Sequence, residues 1–158
     1  MLPARHLVIW QGNNPACWSW SKPDPRFPEV AELLCVWYFE IHRRINTRML
    51  SPKTRYKVYL VFKLADETNG FGNEPIKAAV LLAGAEVSKR EVYVQAESGI
   101  LGNGDQYPKE RGDNWFEVEL GETEFTSERG SDLEIRLQRY TPDPRRGVII
   151  QGMEIRPN

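Results

Sequence analysis

Residues 132–138 read Asp-Leu-Glu-Ile-Arg-Leu-Gln, so Leu133, Ile135 and Leu137 alternate with Asp132, Glu134, Arg136 and Gln138. Strict alternation places the apolar side chains on one face of a strand and the polar ones on the other, which a helix of 3.6 residues per turn cannot do. The same period recurs in both directions along the chain. Tyr56, Val58, Leu60, Phe62 and Leu64 share one phase, and Phe116, Val118 and Leu120 alternate with Trp115, Glu117 and Glu119. Tyr59 and Val61 occupy the second face of the 56–64 segment, which predicts a central strand. Shorter strands are expected over 7–10, 76–82, 92–95 and 148–155. Between them lie turn-forming clusters at 21–28, 68–75 and 98–108, and residues 141–147 predict a hairpin turn. The sum is an all-β sandwich or barrel in one domain over residues 1–158.

One segment resists this reading. Val30, Leu33, Leu34, Trp37 and Ile41 also fit helical spacing, with Glu29 and Glu32 at the end where a helix favours acid, so a short helix near residues 28–34 competes with a strand. From about residue 35 the β-branched and aromatic run Val36, Trp37, Tyr38 and Phe39 favours a strand.

Composition removes several functions. With 21 Lys and Arg against 22 Asp and Glu, the chain lacks the basic surface that displaces counterions from nucleic acid or holds an anionic membrane. The longest wholly apolar run, residues 33–39, is far short of the ~18 residues of a membrane span. Arg5 and His6 interrupt the apolar start, which argues against a signal peptide. The two cysteines, Cys17 and Cys35, are read as free, inert thiols of a reducing compartment. Catalytic and metal signals are sparse: Gly99, Gly102 and Gly104 do not complete a dinucleotide fingerprint, and with only His6 and His42 a Cys/His zinc site would need all its ligands to converge from distant elements. Neither cofactor nor metal is expected. The carboxylate pairs Glu117/Glu119 and Asp132/Glu134 could in principle serve glycoside hydrolysis, but charged residues on a solvent face are the ordinary outcome of alternation.

The tryptophans carry more information. Trp18 and Trp20 alternate in a short polar stretch between Pro15 and Pro23, and Trp10 precedes Gln11, Gly12, Asn13 and Asn14. An indole offers a flat apolar face and one donor edge, which suits the C–H face of a sugar ring flanked by amide and hydroxyl partners. Filling the core is the competing role. The residues leave both open for Trp10 and Trp18 and favour the core for Trp20, Trp37 and Trp115.

Several blocks resemble a known family. They are Ala4-Arg5 through Trp10, Asn14-Pro15 with Trp18-Ser19-Trp20, Val30-Ala31-Glu32-Leu33, residues 59–64, residues 115–122, and the terminal Glu154-Ile155-Arg156-Pro157-Asn158. In order and over essentially the whole chain they resemble the phloem protein 2 and Nictaba-related lectins of plants, in length the short phloem-exudate type without an F-box. The resemblance implies a jelly-roll β-sandwich that binds N-acetylglucosamine oligomers, including chitin fragments, N-glycan cores and glycoproteins, without metal and without hydrolysis. It also implies a homodimer in the cytoplasm and phloem sap. The sugar contacts carried over are Trp10 and Trp18, with Asp132 at the position of a family glutamate, while a second glutamate falls near Arg139 and is reversed in charge. Trp10 or Trp18 is then expected to stack on a sugar, Trp20 to stand nearby, Asp132 to accept a hydrogen bond, and the loop from Asn103 to Tyr107 to close one side. A protein- or RNA-interaction module with weak sugar binding is the alternative, resting on the basic stretches at Arg43, Arg44 and Arg48 and at Arg145 and Arg146.

Overall fold

Alternation with a buried phase is what the chain folds by. In the computed structural model, which describes residues 1–69, 71, 74–95, 106–124 and 130–158, without the side chains of 67, 69 and 141–144, Leu133, Ile135 and Leu137 are fully buried, as are Val58, Leu60 and Phe62. The strands are β1 Leu2–Pro3, β2 Val8–Ile9, β3 Trp18–Ser21, β4 Val30–Leu33, β5 Val36–Asn46, β6 Arg55–Asn69, β7 Ile76–Leu82, β8 Ala85–Val92, β9 Lys109–Gly112, β10 Trp115–Glu124 and β11 Asp132–Pro157. Single 3₁₀ turns follow β1 and β5.

All pairings among them are antiparallel and form two layers that share β11. Its first half lies between β5 and β7, giving a layer in the order β2-β5-β11-β7-β8. Its second half lies between β6 and the pair β1 and β4, giving β3-β4-β11-β6-β10-β9. Residues 141–147 are therefore not a hairpin turn: the chain runs on through them from one layer to the other, because residues 133–140 and 148–157 pair with different strands. The short helix near residues 28–34 is also absent. Val30, Ala31 and Leu33 bury their side chains within strand β4, whose partners β3 and β11 use the backbone groups a helix would need for itself.

Inside the sandwich Phe39 meets Phe71 edge to face at 5.8 Å, and Phe62 stacks on its cross-strand neighbour Phe116 at 6.1 Å. Each fully buried Phe or Leu contributes about 1.5–3 kcal/mol. The layers approach closely at Gly121, where a Cβ would stand 2.7 Å from Ser88 Oγ and 2.8 Å from Val80 Cγ2. At the corner of β11, Arg145 is fully buried, its guanidinium over Phe71 at 4.9 Å and its Nη2 donating to Glu74 at 3.0 Å. Burial pulls its pKa down, and Glu74 opposes that shift.

The corner also explains Trp37. It is 53% exposed rather than part of the core. Register between β5 and β11 jumps from Tyr38↔Tyr140 to Val36↔Arg145, so Trp37 sits at the break, where the phase set by Phe39 and Ile41 no longer holds.

Candidate functional site

Edge strand β2 leads into a tight polar turn over residues 10–17. Gly12 donates to the Ile9 carbonyl, Asn14 to that of Gln11, and both Cys17 and Trp18 to that of Asn14, while the Asn14 side chain accepts from Ala16. Gln11 takes φ 59°, a left-handed conformation that the turn requires. The turn is then fastened by two indoles: Trp18 Nε1 donates to the Trp10 carbonyl at 3.1 Å, and Trp20 Nε1 to the Gly12 carbonyl at 2.8 Å. Their two-residue spacing in β3 places both rings on one side of the strand, where each N–H needs an acceptor.

This corrects the reading of Trp18. At 2% exposure, packed against Phe39 and with its indole N–H engaged, it offers a ligand no open ring face and only borders one shallow depression. Trp20 is half-buried and covered: the Arg5 guanidinium lies 3.8 Å over its ring and is held there by Glu29 at 2.7 Å. Trp115, assigned to the core from sequence, is only half-buried, with the Lys63 ammonium 4.8 Å over its ring.

Trp10 is open. Its backbone N–H donates to the Glu40 carbonyl, which continues the β2–β5 pairing and turns its side chain to the outer face, 40% exposed. On one side of its turn two shallow depressions, each about 400 Å³, share Arg5, Gly12, Asn13 and Trp20, and the Trp10 ring lines neither. On the other, Trp10 meets Tyr38 edge to face at 5.6 Å, and Tyr38 meets Tyr140 at 6.2 Å. Burial, then a hydrogen bond to Glu40, raises the pKa of the Tyr38 hydroxyl. Tyr140 is 75% exposed. Neither tyrosine was singled out from sequence, although the phase of Leu133, Ile135 and Leu137 continued three residues further places Tyr140 on the solvent face.

Asp132 does not join this site. It pairs with Asn46, whereas Trp10 is level with Glu40, six residues away along β5 or roughly 20 Å. Tyr107 stacks on Tyr93 at 4.8 Å, at the far edge of the same layer. Asn103 lies outside the described residues. Arg139 pairs with Phe39, on the opposite phase from Gln138 and Tyr140.

The carboxylates that alternation left as candidate acids are engaged elsewhere. Glu117 is held by Arg111 and Arg156, Glu119 by Lys57 and Arg90, and Glu134 by Arg44 and Arg136. Among the described residues no cluster of three or more His, Cys, Asp or Glu could hold a metal ion. Cys17 is half-buried and Cys35 exposed, and both are free. Burial raises the pKa of Cys17.

A further depression, about 600 Å³, lies on the outer face of the other layer. Its lining includes Met1, Phe27, Pro28, Trp115 and Gln151, none of them foreseen as site residues.

A model of the family described as Phloem protein 2 matches residues 1–157. The F-box protein PP2-B10 of Arabidopsis thaliana is 42% identical over 99% of this chain and 59% of its own length. The F-box protein At2g02240 of the same plant is 40% identical over 99% of this chain and 51% of its own. A solved structure described as "CBM4 structure and function" superposes with a TM-score of 0.46 at 12% identity, over 96% of this chain and 86% of that one. The chain thus spans between half and three-fifths of the length of these two F-box relatives.

Proposed function

The chain belongs to the phloem protein 2 family, and from that membership and its open indole at Trp10 we propose that it is a non-catalytic carbohydrate-binding domain for N-acetylglucosamine oligomers. The observation that carries the reading is the exposed Trp10 ring, held by its backbone hydrogen bond to Glu40 at the start of a polar turn whose residues Gln11, Gly12 and Asn13 line a shallow depression. The pyranose C–H face would lie on the indole. Hydroxyl and acetamido groups would meet Gln11, Asn13 and the Arg5 guanidinium, which together supply both donors and acceptors.

Affinity for a single sugar should be low, since an open polar site must displace bound water. A homodimer would raise the apparent affinity for clustered glycans without new contacts. The ion-paired state of Glu117, Glu119 and Glu134 supports binding without hydrolysis, because glycoside cleavage needs one carboxyl free to protonate the leaving oxygen.

Titration with chitotriose, followed by tryptophan fluorescence, tests the assignment. Trp10→Ala should weaken binding roughly tenfold, the equivalent of ~1.4 kcal/mol, with the fold intact. Equal affinity in a folded Trp10→Ala protein would remove Trp10 from the site.

A further inference from the structure

The aromatic residues beside Trp10 form a transverse row over β2, β5 and β11, and Tyr93 and Tyr107 lie in line with it beyond β7, where Pro75 holds that level. Tyr38 stands directly across from Tyr140. Gln138 stands across from Lys77, so Pro75 is level with Tyr140; Ile76 stands across from Val92, so Tyr93 is level with Pro75. Val92 and Val94 are buried, which turns Tyr93 outward, and Tyr107 lies parallel to it, 6° between planes. The Tyr93 N–H donates to the Gln106 carbonyl at 2.8 Å and ties the Tyr107 segment to this edge.

The geometry of the row sets what it can hold. Trp10 and Tyr38 meet at 82° and Tyr38 and Tyr140 at 45°, so no two of these rings can stack on the same flat ligand ring. Their centroid separations of 5.6 and 6.2 Å are close to one sugar unit, which suits successive rings of a chain. With two strand spacings of ~4.8 Å between Tyr140 and Tyr93, the row extends roughly 20 Å, room for about four pyranoses. Charges of both signs are mixed on this face. Glu134 takes Arg44 at 3.2 Å and Arg136 at 2.8 Å, His42 Nδ1 lies 3.4 Å from Glu40, and Lys77 stands across from Glu91. Lys89, across from Ala79, and Asp132 stand on the same face, so neither sign prevails; along the row itself lie aromatic rings and uncharged polar groups such as Gln138, which fits an uncharged chain rather than a polyanion.

We propose that this row is one extended surface for a linear, uncharged oligosaccharide laid across the strands, with Tyr38, Tyr140 and the Tyr93–Tyr107 pair adding subsites to Trp10. The proposal rests on the sugar-binding reading above and deepens it by naming ligand length and direction.

Calorimetric titration of the wild type with chitobiose, chitotriose, chitotetraose and chitohexaose tests it. Affinity should rise about tenfold or more from the dimer to the tetramer and then level off. In Tyr140→Ala, at an exposed position whose loss leaves the thermal midpoint unchanged, the tetramer-to-dimer ratio should fall close to one. Tyr107→Ala should lose only the last step, from trimer to tetramer. If chitobiose binds but affinity does not grow with length, or grows equally in Tyr140→Ala, the row is overturned while the Trp10 site stands. Failure of every oligomer to bind overturns both.

Discussion

The two outer faces of this sandwich are built by the same alternation and finish differently. On the β4-β11-β6-β10-β9 face, Tyr59 is capped: the Arg156 guanidinium lies 3.7 Å over its ring and pairs with Glu117 and Glu154. Arg111 bridges the same two carboxylates at 3.1 and 2.9 Å, and Lys57 holds Glu119 at 3.1 Å. On the opposite face Trp10 and Tyr140 have no such cap, because the arginines there, Arg44 and Arg136, are drawn to Glu134 further along the strands. The difference lies in where the carboxylates stand. A guanidinium stacks on a ring when an acid beside the ring anchors it, and Arg5 on Trp20 beside Glu29 repeats the rule. Trp10 also stands beside an acid, Glu40, but that carboxylate is engaged by Tyr38 and lies against His42 rather than anchoring a guanidinium, and the ring remains open to solvent and to a ligand.

The largest effect expected separates the open tryptophan from the buried one behind it. Trp18→Ala removes a ring packed on Phe39 and leaves the Trp10 carbonyl without its donor, so urea unfolding should report a loss of about 3–5 kcal/mol. Trp10→Ala should cost under about 1 kcal/mol, as surface changes do. The reverse order would mean that Trp10 is the structural ring and Trp18 the available one, and the contrast between faces would lose its first member.

Next comes the spacing between the faces. Gly121→Val brings side-chain atoms into Val80 and Ser88, and overpacking of this kind costs about 1–3 kcal/mol. The unfolding midpoint should drop while the denaturant slope stays constant. A neutral result would show that the layers can move apart there, and that the register joining them is looser than the Cβ distances imply.

Much of this architecture was legible in the sequence, because burying one phase of a strand is a local rule. Leu133, Ile135 and Leu137, and likewise Val58, Leu60 and Phe62, declare their inner face without reference to any other residue. The misreadings share one cause. Trp37, Trp18 and residues 141–147 lie where the chain changes layer or leaves a strand, and there the environment depends on register with a distant segment. Val36 to Phe39 is apolar throughout and carries no alternation to decide which ring turns outward. The acceptors of the Trp18 and Trp20 indoles are carbonyls eight residues earlier, which side-chain chemistry does not reveal. Asp132 matched the family pattern, yet it stands at the wrong end of its strand to meet Trp10. Tyr140 is the opposite case, since its outward phase was readable and only its partners across the strands give it meaning.

Removing the cap should be the milder change. Arg156→Ala uncovers Tyr59 and frees Glu117 and Glu154, whose remaining partner is Arg111. The guanidinium is partly solvated, with 38% of its side chain exposed, so the loss should be about 0.5–1 kcal/mol. Comparison with Arg156→Lys sharpens the result. A lysine keeps the charge but not the planar stack or the two-sided fork, so it should recover only part of the loss. Full recovery would show that charge alone maintains this face and that the stacked ring contributes nothing.

Salt should distinguish the faces by the smallest but most selective effect. Raising ionic strength from about 0.1 M to about 1 M shortens the screening length from ~10 Å to ~3 Å, which weakens ion pairs that solvent reaches. Stability should therefore fall slightly in wild type and less in Arg156→Ala, where one arm of the network is already gone. Chitotriose affinity should stay within about twofold over the same range, since stacking on Trp10 and hydrogen bonds to amides involve no release of counterions. A steep fall of affinity with salt would show that the ligand is held by charge, through Arg5 or the arginines flanking Glu134, and the division into a charged and an aromatic face would then describe packing but not recognition.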